Sequence, residues 1–361
     1  MSPLALQALS GFADRAWADP QLTHHEGRTS AAILQAARAT VAQVVGCQPG
    51  QVSFHRSDSV AGLAVAGVSL SEVTSSAGDA GTPLRQMRSV IERDVVLKAC
   101  DDAAVALPVD SVGRVVLPEV FEAGDVAVIQ AANLEIGTRQ DLGRISELVR
   151  AAGACWVCDL TGALGMVALD FAGMTVSFSD AYCWGGPAGV AVLAVHDPSR
   201  WRTPDGVETG PDGLPLDTCD VLTSAAAAAA LHTAMTDLPS RAERMHRCTQ
   251  RVRIEAAQLV DDVDVLGADF RLPHVVTLSV LYADGERLAT DLDRRGIAVG
   301  SGSACAARSG LPSHVLEAIG ALTHGNIRIS LPLDASDDDI DRFLSEFPSA
   351  AAEVRAEAGA P

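Results

Sequence analysis

The chain has 361 residues, 48% of them hydrophobic and 20% charged, with a mean hydropathy of +0.20. That composition belongs to a folded globular protein and excludes a disordered one. Acidic residues outnumber basic ones 46 to 27, a net charge of −19, and a surface so acidic repels phosphate backbones and anionic lipid heads, which excludes nucleic-acid and membrane partners. No apolar run reaches the roughly 18 residues of a membrane span, and the start MSPLALQALSGFADRAW lacks the basic end and apolar stretch of a secretion signal. Eight cysteines set in apolar runs read as reduced thiols, so a cytoplasmic protein is expected.

In chain order, SAAILQAARATVAQVVG places apolar residues at helical spacing, and QVSFHRS then reads as a strand. DVAVIQAAN is a buried strand, LGRISELVRAAG a helix stopped at Gly153, and ACWVCDLTG and GVAVLAVHD are further buried strands. Residues 199–219, rich in Pro, Gly and Asp, read as a long loop. Thr223 and Ser224 are candidate caps for a helix through the alanines at 225–230, and an Arg-rich helix over about 240–260 leads into a second unit. This cadence predicts an α/β fold: a large domain over 12–245 with a mostly parallel sheet of about seven strands, and a smaller α/β domain from 1–11 and 246–361.

Familiar nucleotide and hydrolase signatures are absent, and the histidines show no metal-ligand spacing, so no metal is expected. Cys155 and Cys158 form a CxxC, but within a strand those positions face opposite sides, which makes them core residues unless a metal or redox role brings them together.

Five segments resemble one family. GSGSACAARSGLPSHVLEAIG resembles the active-site cysteine loop of cysteine desulfurases, with Cys305 in the place of the sulfur-accepting thiol. GNIRISLPLDASDDDIDRF follows it, with Arg328 at the position that binds the substrate carboxylate. The stretch ANLEIGTRQDLGRISELVRAAGACWVCDLTGALG resembles the one that holds the pyridine-nitrogen aspartate, here Asp159. SFSDAYCWGGPAGVAVLAV resembles the one that carries the cofactor-binding lysine, and EGRTSAAILQAARATVAQVVGCQPGQVSF fits the N-terminal region. The resemblance is to the class V aminotransferase, or cysteine desulfurase, branch of the fold-type I pyridoxal-phosphate enzymes. It implies that fold, a two-fold dimer and a sulfur-acceptor protein as partner.

Departures from the pattern are concentrated at the cofactor. Aligned on Gly186-Pro187, Cys183 stands at the Schiff-base lysine and Tyr182 at the histidine before it. Lys98, the only lysine among 27 basic residues, lies far from this segment in the sequence. A thiol cannot form the internal aldimine. The phosphate cradle reads Ser57-Asp58-Ser59 and Asp180, and two carboxylates would repel a phosphate by about 1 kcal/mol each at 4 Å even in bulk water. Met87 maps to the ring-stacking histidine, Leu134 to an asparagine at the ring hydroxyl, Gly162 to a glutamine, and Pro215 lies near the partner loop's arginine, while Thr218 matches.

The expectation is therefore no cofactor, or pyridoxal phosphate only if bound non-covalently. Bulky Tyr182 and Trp184 would help to fill the cavity, the alternative being a remodelled pocket for another ligand or a soft metal. Two readings stand for Cys305: a persulfide carrier with Arg308 as local positive charge, or an inherited thiol without a role. Arg328 either binds a ligand carboxylate or pairs with a buried acid such as Asp159, which needs a partner. Three functions follow: sulfur transfer through Cys305, a non-catalytic partner forming a homodimer or a heterodimer with a lysine-bearing paralogue, or a new use of the pocket around Cys183, Tyr182, Asp58 and Asp180.

Overall fold

Runs such as VAVLAV and CWVCD are too short and too uniformly apolar for surface elements, and they form strands buried on both faces. In the computed structural model, residues 1–69, 84–210, 213–301 and 312–359 are described; Cys305 and Arg308 lie outside them. The chain divides into two compact units: 1–107, 117–131 and 141–238 in the first, and 108–116, 132–140 and 239–361 in the second.

The first unit runs α1 (Pro3–Phe12), α2 (His25–Val45), β1 (Val52–Arg56), α3 (Val60–Ser69), β2 (Arg85–Ser89), α4 (Asp94–Leu97), β3 (Val105–Leu107), β4 (Asp125–Val128), α5 (Leu142–Ala152), β5 (Cys155–Asp159), β6 (Val176–Asp180), β7 (Val190–Val195) and α6 (Val221–Thr236). Its seven strands form one sheet in the order β1-β7-β6-β5-β4-β2-β3. The neighbours from β6 through β3 are parallel, and β7 is antiparallel to both β6 and β1. This is the mostly parallel seven-stranded sheet expected for a fold-type I architecture, and its parallel strands deliver their carboxyl ends to one edge, where ligands bind in such sheets.

Gly153 stops α5 as anticipated: it takes φ 65°, a left-handed cap that costs glycine nothing, and its N–H returns to the last turn. The alanine tract is the close-packed part of α6, against which both α1 and α2 lie. Because α1 rests there, residues 1–11 belong with the first unit and not with the small domain, a correction to the expected division; the boundary itself falls at 238. The cap of α6 also differs. Asp220 is the N-cap, accepting from Thr223 N at 2.8 Å, and Ser224 Oγ donates to the Asp220 carbonyl at 2.8 Å, because the carboxylate three residues upstream outcompetes both hydroxyls. The stretch 199–219 carries no helix or strand among its described residues.

The second unit holds α7 (Leu238–Leu259), β8 (Val263–Val265), β9 (Val275–Val280), α8 (Gly285–Arg294), β10 (Gly300–Ser301), α9 (His314–Ala318), β11 (Asn326–Ser330) and α10 (Asp337–Glu357). Its four strands form an antiparallel sheet, β10-β11-β9-β8. Ser336 and Asp339 make a reciprocal capping box at the start of α10, where the acidic run Asp337–Asp339 faces the helix dipole. No helix of the described residues is long and apolar enough to cross a membrane.

Candidate active site

The parallel register pairs Asp159 with Phe178, so the carboxylates of Asp159 and Asp180 stand at the carboxyl ends of neighbouring strands β5 and β6. Both are 3% exposed. Two buried carboxylates need a counter-charge, and it comes from Arg93, at the N-cap of α4 beyond the end of β2. Arg93 Nε donates to Asp159 Oδ2 at 2.5 Å, Nη1 to Asp180 Oδ2 at 2.7 Å, and Nη2 to Thr161 Oγ1 at 2.9 Å. Thr161 N in turn donates to Asp159 Oδ1 at 2.8 Å. All three branches of one guanidinium are thus used by groups of the same unit.

Burial disfavours the charge on Arg93, but the two carboxylates more than offset it and hold the group protonated. Burial raises Asp180 above the usual carboxylate range against the pull of Arg93. Glu92, fully buried and accepting from Gln130 N at 2.9 Å, is pushed well above that range by burial. The site is therefore two carboxylates bridged by one arginine, beside a carboxyl that favours its neutral form.

Cys183 lies in the 3-10 turn Ala181–Trp184 that follows β6. Close contact with Ala181 leaves no room for a side chain at Gly186, where a Cβ would come within 2.8 Å. The Cys183 thiol is half-buried and burial pushes it up to about 12, with Asp180 adding in the same direction, so it is a protonated thiol and a poor nucleophile at neutral pH.

Several expectations are corrected. Asp58 does not face this site: it is exposed and paired with Arg56, Nη2 to Oδ2 at 2.8 Å, and Ser59 is exposed with Oγ donating to the Arg56 carbonyl. Met87 lies inside β2, buried in the sheet, and the residue of that segment that reaches Asp159 is Arg93. Tyr182 is 51% exposed, while Trp184 points into the core, its Nε1 donating to the Ala227 carbonyl at 3.0 Å; neither fills the site, and the guanidinium of Arg93 does. Thr218 Oγ1 accepts from Arg56 N at 3.3 Å and lies 3.4 Å from His55 Nδ1. Among the described residues no group of three or more His, Cys, Asp or Glu could hold a metal ion.

Leu134 and Arg328 belong to the second unit. Arg328 on β11 sits opposite Thr277 and Gly300. The cation that pairs with Asp159 within the first unit is Arg93, and the Nε of Arg328 is buried with no hydrogen bond among the described residues. A guanidinium so placed suits a carboxylate ligand.

The family described as Aminotransferase class-V matches residues 4–205 and 218–343. A cysteine desulfurase of Cereibacter sphaeroides is 29% identical over 99% of this chain and 94% of its own length, and an IscS-like cysteine desulfurase of Mycobacterium tuberculosis is 28% identical over 98% and 94%. Among solved structures, a NifS-like protein superposes with a TM-score of 0.84 at 21% identity, over 98% of this chain and 96% of that one.

The chain belongs to the class-V aminotransferase family, and its full-length relatives include cysteine desulfurases. This corrects the expectation that no cofactor is used: the family is one of pyridoxal-phosphate enzymes, so that cofactor is the one indicated. The residues described at the site do not fit its covalently anchored form. Cys183 offers a thiol, Lys98 is exposed at the end of α4, and Arg93 stands between Asp159 and Asp180.

Proposed function

We propose that this chain is a sulfur-transfer member of the cysteine desulfurase branch, in which Cys305 receives sulfur as a persulfide and passes it on, and in which Cys183 stands where a Schiff-base lysine would. The observation that carries the reading is Arg93, held by Asp159 and Asp180 beside Cys183, in a chain whose only lysine is Lys98. Such a site lacks an amine of its own for opening cysteine, whereas a carrier needs only an accessible thiol and a donor. The transfer is balanced: the Cys305 thiolate attacks the outer sulfur of a donor persulfide, one S–S bond forms as another breaks, and the donor leaves as its thiolate. Arg328, whose Nε is buried without a hydrogen-bond partner among the described residues, is the group that would hold the carboxylate of a cysteine-derived ligand.

The reading brings with it a cytoplasmic protein, a two-fold dimer with itself or with a lysine-bearing relative, and a sulfur-acceptor protein. The experiment is sulfur transfer from an active cysteine desulfurase fed with isotope-labelled cysteine, read by mass spectrometry of the chain's cysteine peptides. Label is expected on the Cys305 peptide, and Cys305→Ser is expected to abolish passage to the acceptor. Equal passage with Cys305→Ser would overturn the proposal.

A further inference from the structure

A second cysteine site lies on the first unit, apart from Asp159 and Cys183 in sequence and sharing no residue with them. Cys47 follows α2, its N–H returning to the Ala42 carbonyl at 3.0 Å. Its Sγ lies 3.2 Å from Nδ1 of His196, the residue after β7. His196 Nε2 is 2.8 Å from Ser177 Oγ on β6, and Ser177 is 1% exposed. The imidazole also stacks on Phe171, with centroids 5.8 Å apart and an interplanar angle of 19°. Ser177 and Phe171 thus fix the ring in plane and position, and the backbone of β6 and β7 fixes both, since Ser177 pairs with Ala194 in the sheet. Cys47 and His196 are each partly buried. A thiol, a base within hydrogen-bond reach and a third group orienting that base is an arrangement in which a resting neutral thiol has an acceptor placed for its proton during attack. Among the described residues, no other cysteine has an imidazole at this distance.

Burial alone moves both groups, the thiol up to about 11 and the imidazole down to about 4. Among the described residues no charged side chain shifts either group. The flanking acids are turned elsewhere: Asp197 accepts from Ser199, and Asp170 from Ala172 N. The resting pair is therefore neutral, and the tautomer that carries its proton on Nε2, toward Ser177 Oγ, is the one that leaves Nδ1 open to accept from the Cys47 thiol. Such a pair reacts by handing over its proton during attack, not by storing a thiolate beforehand.

We propose that Cys47 is an exchange site for the S–S bond of a small disulfide or persulfide, with His196 as its general base. Cys47 Sγ attacks one sulfur of the bond, and a new S–S bond forms while the old one breaks. The released electron pair leaves with the departing thiolate. The thiol proton passes to His196 Nδ1 and then to that thiolate, so the site returns to its neutral form. The small molecule is itself the oxidant, and nothing else is consumed. This site is independent of Cys305, and its failure would leave the transfer reaction there untouched.

The test uses the full chain and bis(2-hydroxyethyl) disulfide, a small uncharged probe that the acidic surface does not repel. The rate of mixed-disulfide formation at Cys47 is followed by peptide mass spectrometry from pH 5.5 to 8.5. A free thiol reacts about tenfold faster per pH unit below its pKa. Cys47 is expected to be nearly flat across this range, because its base is already neutral, and to slow in D2O. His196→Gln should restore the steep profile and slow the reaction at pH 6 by about tenfold or more, and Ser177→Ala should lose part of the rate. Should either variant fail to fold, the profile and isotope effect of the unaltered chain decide alone. A steep profile in the unaltered chain, a profile unchanged by His196→Gln, or no modification of Cys47 at all would overturn the proposal.

Discussion

Arg93→Met is expected to destabilise the first unit by about 3–5 kcal/mol, the loss seen when one member of a buried ionic group is removed and the rest stay charged. Asp159 and Asp180 are each 3% exposed, and Arg93 is the cation that reaches both. Without it, one carboxylate must be protonated or the strand ends must open to water. The comparison that isolates the effect is the triple variant Arg93→Met, Asp159→Asn, Asp180→Asn, which should recover most of the loss because no charge is left stranded. Urea midpoints of the three proteins at pH 7 check this. Equal midpoints for the unaltered chain and Arg93→Met would show that the bridge is dispensable to the fold.

The second large effect is acid sensitivity carried by buried histidine. His55 on β1 is 1% exposed, with Nε2 2.7 Å from Ser53 Oγ. Burial first and the nearby Arg38 second lower it to about 4. A histidine lowered in this way contributes stability in full above its unfolded pKa of about 6.5 and loses it as the pH falls toward 4. The shift corresponds to about 3 kcal/mol over that window. The buried acids act in the opposite sense. Glu92 and Asp180 are raised, so they weaken the fold as the pH rises and relieve it as the pH falls. The contribution of His55 is therefore read as a difference. The stability of the unaltered chain relative to His55→Asn should decline by about 3 kcal/mol between pH 7 and pH 4. A constant difference would show that His55 is free to charge in the folded protein.

Much of this architecture is legible in the sequence, because its strands are short apolar runs closed by polar residues and its helices carry clear periodicity and stops. The reading fails where partners come from distant segments. Asp159 on β5 announces that it needs a cation, but no local pattern says that the cation is Arg93, which enters from beyond β2 with β4 lying between. The same blindness placed Met87 in a role that its position inside a strand forbids. Asp58 was readable in principle: Arg56 two residues earlier is a ready partner at a strand end, and the pair forms at the surface. The Cys47–His196–Ser177 relay joins three segments up to 149 residues apart, and only Ser177 on β6 and His196, just past the end of the adjacent antiparallel β7, lie close in sequence.

The proposed function rests on Cys183 standing where the family carries its Schiff-base lysine, in a chain whose only lysine is Lys98. Its most direct test is reduction with borohydride after addition of one equivalent of pyridoxal phosphate, the cofactor the family indicates, followed by peptide mapping. Far less than one pyridoxyl group per chain is predicted on Lys98, with labelling there unaffected by cysteine. Stoichiometric labelling of Lys98 that is displaced by cysteine would contradict the account and make this chain an aldimine-forming desulfurase.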